Sequence, residues 1–161
     1  MKLGLTLIVA AVGLALASPA FGGGDLTIKA LGFDNKPVGE GTAMLKDGPI
    51  WGTPMRPSAT NTVVLAGHDV TPVPGYGSHG PFYNLVTLKK GYLVQIRWKG
   101  KLFIYRVVGK ARYYPESDDS VVTTGDVGAV WMYSCWPRYT HNGRLWVEAV
   151  LVSIRNLVRR S

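Results

Sequence analysis

The segment that most constrains the fold is residues 145–152, Leu-Trp-Val-Glu-Ala-Val-Leu-Val, in which only Glu148 is charged. A nearly continuous apolar run of this length predicts a strand in the centre of a sheet or packed on both faces. Shorter runs rich in Val, Ile, Tyr and Trp lie between Gly, Pro and Asp residues and predict strands at 62–66, 93–98, 102–108 and 129–134. The pattern indicates an all-β domain, either a barrel or a sandwich.

Few segments of the sequence predict turns or helices. Lys99-Gly100 separates two of the predicted strands and is typical of a tight hairpin. Residues 81–85 predict one helical turn, and residues 153–160 predict a short basic helix at the C-terminus.

The N-terminus has the pattern of an export signal. Lys2 is followed by an apolar stretch up to Ala17, and no charged residue follows until Asp25. The stretch could also remain as a short membrane anchor, although it is below the roughly 20 residues that span a bilayer comfortably. We assign residues 1–24 to a signal peptide or N-terminal anchor. Residues 25–161 then form one domain, large enough to support a core without disulfides.

The chain carries a formal net charge of +8. A basic protein can bind nucleic acid, but export favours anionic polymers of the cell envelope or lipid headgroups as partners. A solvated basic surface without a specific partner explains the charge equally well. We expect no nucleic-acid partner, and a location at the extracytoplasmic face of the membrane or in the cell envelope.

Cys135 is the only cysteine of the chain. An exported protein usually pairs its cysteines or lacks them, so a lone thiol is a candidate nucleophile. A buried and inert thiol is the competing interpretation.

Three polar residues stand at the ends of predicted strands: His68, Cys135 and Arg144. Side chains at strand ends can meet on one rim of a barrel. There Cys135 could attack a carbonyl, His68 could move a proton and Arg144 could stabilise the oxyanion. The spacing alone does not establish such a site, because any small β protein has polar residues at strand ends.

Other residues compete for these roles. His79 and His141 are alternative bases, although their Gly- and Asn-flanked positions are typical of solvated loop residues. Arg138 is the alternative to Arg144, which we prefer because it stands at the start of a strand. The acidic run at 116–119 offers oxygen ligands for calcium, but an exposed loop explains it as well, and we expect no metal.

Four parts of the chain form an ordered set of motifs. They are residues 60–68, Thr-Asn-Thr-Val-Val-Leu-Ala-Gly-His; residues 80–85 and 88–91; residues 131–135, Trp-Met-Tyr-Ser-Cys; and residues 144–147, which begin with an arginine. In this order they resemble motifs of the sortases, the cysteine transpeptidases of bacterial cell envelopes. The first resembles the segment that ends in the catalytic histidine of that family, and the second is similar to its turn and its Leu-Lys-x-Gly-Asp stretch. The third resembles its Thr-Leu-x-Thr-Cys motif, and the fourth resembles the start of its last long strand, which an arginine opens.

The resemblance implies a closed, mostly antiparallel β-barrel of about eight strands, with one or two short helices and a cysteine site in a groove. It also implies that Cys135 cleaves a sorting signal, commonly of Leu-Pro-x-Thr-Gly type, after the threonine and forms a thioacyl intermediate. His68 would act as general acid and then as general base for an amine of a cell-wall precursor or a pilin. Arg144 would hold the oxyanion, Ala66 and Ser134 would contact the substrate, and no metal or organic cofactor would be needed.

The match to the sortase motifs has departures. Trp131, Met132 and Ser134 replace Thr, Leu and Thr of the cysteine motif. Asp69 and Tyr92 stand where many sortases carry arginine and aspartate. These changes leave the subclass and the substrate preference open, but they affect the expected chemistry less.

Two other interpretations remain. A secreted β module without catalysis could bind wall polymer through its basic surface and four of its five tryptophans, Trp51, Trp98, Trp136 and Trp146. An L,D-transpeptidase also uses an exported cysteine. Its Ser-His-Gly-Cys signature is absent here, because Tyr133 and Ser134 precede Cys135.

Overall fold

The computed structural model describes residues 24–115 and 127–157. Three sequence-based predictions fall wholly or partly outside these ranges. They are the export segment apart from Gly24, the acidic run at 116–119 and the end of the C-terminal helix. Within the described ranges, no helix is long and apolar enough to cross a bilayer.

Nine β-strands and three short 3-10 helices form the regular structure of the described part of the chain. The strands are β1 Gly24–Ile28, β2 Phe33–Val38, β3 Ile50–Trp51, β4 Val63–Ala66, β5 Leu93–Trp98, β6 Lys101–Val107, β7 Arg112–Pro115, β8 Ala129–Cys135 and β9 Gly143–Asn156. The 3-10 helices are Lys29–Leu31, Thr42–Lys46 and Leu85–Thr87.

These strands belong to one sheet that curls into a nearly closed barrel. Eight of them follow the order β2-β1-β5-β6-β9-β8-β4-β3, and β7 pairs with β9 outside this path. The two ends meet at Gly39, whose N–H donates to the Pro49 carbonyl at 2.9 Å and whose carbonyl accepts from the Trp51 N–H at 3.1 Å. Among the nine strands, every described pairing is antiparallel except that of β4 with β8, and the single bridge at Gly39 is also parallel. The predicted closed, mostly antiparallel barrel is confirmed.

β9 is the central strand that its composition predicts. Its first half lies between β7 and β8, and its second half pairs with β6. Its apolar run is nearly continuous because both faces are packed: Leu145, Val147 and Ala149 point into the interior core, and Trp146 packs in a second cluster on the outer face. The predicted C-terminal helix is wrong where the structure describes it, because residues 153–156 continue β9. They pair with residues 101–104 of β6, which supply ladder hydrogen bonds that a helix could not use.

The predicted turns are present. Lys99 and Gly100 have φ angles of 46° and 72°, and they close a two-residue hairpin between β5 and β6. The turn predicted at 81–85 leads into the 3-10 helix that starts at Leu85, whose N–H donates to the Phe82 carbonyl at 3.0 Å.

Apolar side chains fill the barrel and also cover part of its outer surface. The turn before β5 contributes three residues to the interior core, Phe82, Leu85 and Leu88. A smaller outer cluster consists of Val64, Ala129, Trp131 and Trp146, with Tyr114 and Tyr133 packed against it. Because side chains alternate along a strand, Trp131, Tyr133 and Cys135 share the outer face of β8. The cysteine therefore lies on the same face as this aromatic layer.

The chain after β4 folds back against its own backbone. The Gly80 N–H donates to the Asp69 carbonyl at 2.8 Å, and the Phe82 N–H donates to the His68 carbonyl at 2.9 Å. A Cβ atom at position 80 would overlap the backbone carbonyl of His68 and lie 2.7 Å from its Cβ. Glycine is required here because two backbone segments are in direct contact.

We expect Gly80→Ala to destabilise the protein, because the added Cβ meets backbone atoms that no side-chain rotation can move. Overpacking of this kind costs about 1–3 kcal/mol of unfolding free energy. Gly109→Ala is the matched control, since no heavy atom lies within 4 Å of the Cβ that it adds. Urea denaturation compares the two variants, and equal unfolding free energies would contradict the contact at Gly80.

Candidate active site

The strand register brings the ends of β4 and β8 and the start of β9 together. Cys135, the last residue of β8, pairs directly with Arg144 of β9. On its other side β8 runs parallel to β4, and Ala66 is paired with Tyr133. The Gly67 N–H donates to the Tyr133 carbonyl at 3.1 Å, which extends this pairing by one residue. Two positions beyond that pair, the same register gives His68 and Cys135. The three residues at predicted strand ends therefore meet on one rim of the barrel.

Cys135 is half-buried, and the titratable side chains of Tyr133 and Arg144 lie near it. Burial raises the pKa of the Tyr133 phenol, the positive charge of Arg144 lowers it, and negative charge on Cys135 raises it further. Arg144 pairs with Cys135 across the two strands, and Tyr133 precedes Cys135 by two residues, so the three residues share the outer face of β8 and β9. The guanidinium of Arg144, whose Nη1 donates to the Gly143 carbonyl at 3.0 Å, belongs to the same outer face as the thiol, where a positive charge can stabilise an oxyanion.

His68 is half-buried and follows β4 next to the buried Asp69. Burial lowers the pKa of His68, the negative charge of Asp69 opposes this shift, and His141 reinforces it. Burial thus favours the neutral imidazole of His68, which is the form that accepts a proton. One Asp69 oxygen accepts a hydrogen bond from the Val70 N–H at 2.8 Å.

A second histidine lies against the thiol. Nδ1 of His141 is 3.7 Å from Sγ of Cys135. The sequence pattern suggested a solvated loop residue, and His141 is indeed exposed, but it also contacts the candidate nucleophile. The sequence did contain a signal for this contact. His141 lies in the short connection between β8 and β9, and such a connection brings its last residues back beside Cys135, where it began.

Arg138, the alternative to Arg144, is engaged elsewhere. Its Nη2 donates to the Tyr83 carbonyl at 2.9 Å, and its guanidinium carbon lies 3.9 Å from the centre of the Tyr83 ring and 5.4 Å from that of Trp136. His79 stacks on Tyr83 with ring centres 3.7 Å apart. These contacts join the loop after β8 to the turn that precedes β5. They favour Arg144 over Arg138 as the arginine that acts at the thiol.

The two predicted substrate contacts, Ala66 and Ser134, are 4% and 2% exposed. They are chain neighbours of the site, but a peptide on the outer face would meet their backbone more readily than their side chains. The Ser134 hydroxyl has no hydrogen-bond partner among the described residues. Their role in substrate binding stays a prediction.

An open cavity of about 310 Å³ lies next to β8. Tyr133, which shares the outer face with the cysteine, forms part of its wall together with Trp51, Thr53 and Arg56. The guanidinium of Arg56 lies 4.8 Å from the centre of the Trp51 ring and is paired with Glu40 at 2.9 Å. The aromatic and polar wall suits an apolar side chain flanked by peptide groups.

Comparison with known proteins agrees with the fold. The family model described as a sortase domain matches residues 26–152. Sortase A of Listeria monocytogenes is 19% identical, with 84% of this chain and 90% of that chain covered and a TM-score of 0.67. The SrtF sortase of Corynebacterium diphtheriae is 18% identical, with 90% and 92% covered and a TM-score of 0.71. Sortase E of Streptomyces avermitilis is 26% identical, with 83% and 89% covered and a TM-score of 0.64. No curated protein matches the chain.

The sortase match extends from β1 into β9 and so includes the whole rim described above. It replaces the interpretation of the chain as a binding module without catalysis, since sortases are enzymes. The resemblance seen in the sequence and the barrel topology lead to the same assignment. The chain therefore belongs to the sortase family and is a cysteine transpeptidase of the sortase type.

Proposed function

We propose that this sortase cleaves a C-terminal sorting signal of Leu-Pro-x-Thr-Gly type and transfers the acyl group to an amine of the cell wall or of a pilin. The observation that carries the proposal is the direct pairing of Cys135 with Arg144, beside the strand end that leads to His68. A nucleophile, a fixed cation and a proton carrier on one rim are what acyl transfer through a thioester requires.

Acylation begins when Sγ of Cys135 attacks the carbonyl carbon of the signal's threonine. The thiol proton passes to a histidine, the resulting thiolate forms the S–C bond, and Arg144 stabilises the negative charge on the carbonyl oxygen. The C–N bond then breaks, and the leaving amine takes up a proton from a histidine. The product is a thioester on Cys135.

Deacylation uses a second amine and a base. Because burial lowers the pKa of His68, this residue is neutral and can take a proton from the incoming amine as it attacks the thioester. The C–S bond breaks and the sulfur regains a proton. Arg144 faces the oxyanion in both halves of the reaction.

The cavity beside Tyr133 supports binding of an extended peptide along the outer face of β8. Tyr133 precedes Cys135 by two residues, which is about 7 Å of strand. An extended substrate of matching length would direct a side chain two or more positions before the scissile threonine towards this cavity. In a signal of the proposed type that residue is proline or leucine, which suits the aromatic wall formed with Trp51.

Charge and the N-terminal segment support a role at the cell surface. The net charge of +8 favours an anionic envelope polymer or headgroup layer as the neighbour of the enzyme. Residues 1–24 would act as the signal peptide or anchor that brings the domain to the extracytoplasmic face of the membrane.

Incubation of the full-length protein with a pool of sorting-signal peptides should give an acyl adduct, detected by intact-protein mass spectrometry. Cys135→Ala should give no adduct and should unfold within about 1 kcal/mol of the parent, because the replaced thiol is only half-buried. The mass of the adduct identifies the accepted signal. The proposal fails if no adduct forms and a small thiol reagent also leaves the native protein unlabelled.

Arg144→Gln should lower kcat/KM by about 10²–10³, the loss typical of removing an oxyanion-stabilising group. Arg106→Gln removes a charge from an exposed position of β6 and controls for the change in net charge. Arg138→Gln should lower stability, because it removes the contacts with Tyr83 that hold the loop after β8, and should lower kcat/KM less than Arg144→Gln. Steady-state transpeptidation by the folded variants tests the assignment. Full activity of Arg144→Gln together with inactive but folded Arg138→Gln would reverse it.

A further inference from the structure

The thiol of Cys135 has a histidine partner to which the sequence resemblance gives no role. Nδ1 of His141 lies 3.7 Å from its Sγ, while the sortase-like motif points to His68. We propose that His141 is a second catalytic histidine, which accepts the thiol proton of Cys135 when the nucleophile is activated. The inference rests on the proposed function of Cys135 as the nucleophile.

The contact between His141 and the thiol follows from a folded loop. A backbone hydrogen bond of 3.0 Å from Trp136 to Gly143 closes the base of the loop between β8 and β9. Inside it, the N–H and the hydroxyl of Thr140 both donate to the Pro137 carbonyl, at 3.1 Å and 2.7 Å. This tight turn immediately precedes His141, so the backbone fixes the point from which its ring reaches the thiol.

A further contact fixes the loop from outside. Arg138 joins it to the Tyr83 carbonyl and ring, on the turn that contributes Phe82 to the core. The loop is therefore held at its base, at its internal turn and on the barrel. An exposed side chain on such a loop can keep a constant position relative to the sulfur.

The charged and titratable groups around the thiol favour His141 as the proton acceptor. Arg144 pairs with Cys135 from β9, and Tyr133 is two residues before it on β8. His68, at the end of β4, is close enough to Asp69 and His141 for both to act on it electrostatically. Burial opposes a positive charge on His68, and the proximity of His141 opposes it further. His141 is exposed, so water can solvate its imidazolium. The proton of the thiol thus goes to the solvated ring, and His68 stays neutral.

The proposed step balances in atoms and charge. The S–H bond of Cys135 breaks and an N–H bond forms at Nδ1 of His141, which leaves a thiolate and an imidazolium. The thiolate forms the S–C bond with the substrate carbonyl, the C–N bond breaks, and the leaving amine takes one proton from the histidine pair, His68 and His141. One proton has then moved from sulfur to the amine, both histidines are neutral, and His68 is available as base for the second amine.

The test measures the pH dependence of Cys135 alkylation by iodoacetamide in the full chain, followed by intact-protein mass spectrometry. Glutamine and asparagine retain hydrogen-bonding groups but take up no proton, so His141→Gln and His141→Asn isolate the role of the base. Both should react about tenfold more slowly at neutral pH, with the profile displaced by about one pH unit to the alkaline side. His79→Gln is the matched control, because it also replaces a histidine, but one whose ring stacks on Tyr83 instead of contacting the thiol. This variant should react like the wild type.

A second measurement supplies the missing base from solution. Because position 141 is exposed, added imidazole should restore part of the alkylation rate of His141→Ala and leave His79→Gln unchanged. Superimposable profiles for His141→Gln and the wild type, without imidazole rescue, would overturn the role of His141 and leave Cys135 as the nucleophile. Wild-type protein that resists alkylation at every pH would overturn the proposed function and this inference together.

Discussion

The parallel pairing of β4 with β8 is the constraint on which the site depends. Parallel strands run in one direction, so both strands end on the same rim, and the antiparallel β9 begins there. Each of the three strand ends then contributes one polar residue, His68, Cys135 or Arg144. A parallel pair also requires a long crossover. The connection from β4 to β8 contains β5, β6 and β7, which explains why the histidine and the cysteine are far apart in the sequence.

The position of His68 is set by the core through backbone contacts. Its carbonyl accepts the N–H of Phe82, whose side chain is fully buried. Glycines on both sides make this approach possible: a Cβ on Gly67 would lie 2.6 Å from the Phe82 ring, and one on Gly80 would overlap His68 itself. Packing in the barrel interior therefore determines the location of a histidine on its rim. Surface substitutions in the loop between these glycines should leave that location unchanged.

Dense runs of β-branched and aromatic residues made part of the fold predictable: β5 has its predicted bounds, and β4, β6, β8 and β9 were found. β2 was missed because it contains Asp, Asn, Lys and Pro, which disfavour strands. Pro37 is tolerated there because β2 lies at one end of the sheet path. Residues 153–156 carry no local signal of their pairing with β6. In the site, His141 was interpreted as solvated, since its contact depends on how the loop folds.

Two histidines of different exposure divide the proton transfers of a double displacement. The base that faces the sulfur becomes positively charged when it takes the thiol proton, before a substrate has excluded water. Solvation of the exposed His141 favours this positive charge. A base for the second amine must be neutral when the thioester forms, and burial of His68 favours the neutral ring. Their mutual repulsion makes one proton on the pair more favourable than two. With His141 as acceptor of the thiol proton, departure of the first amine removes that proton and leaves His68 ready for the second.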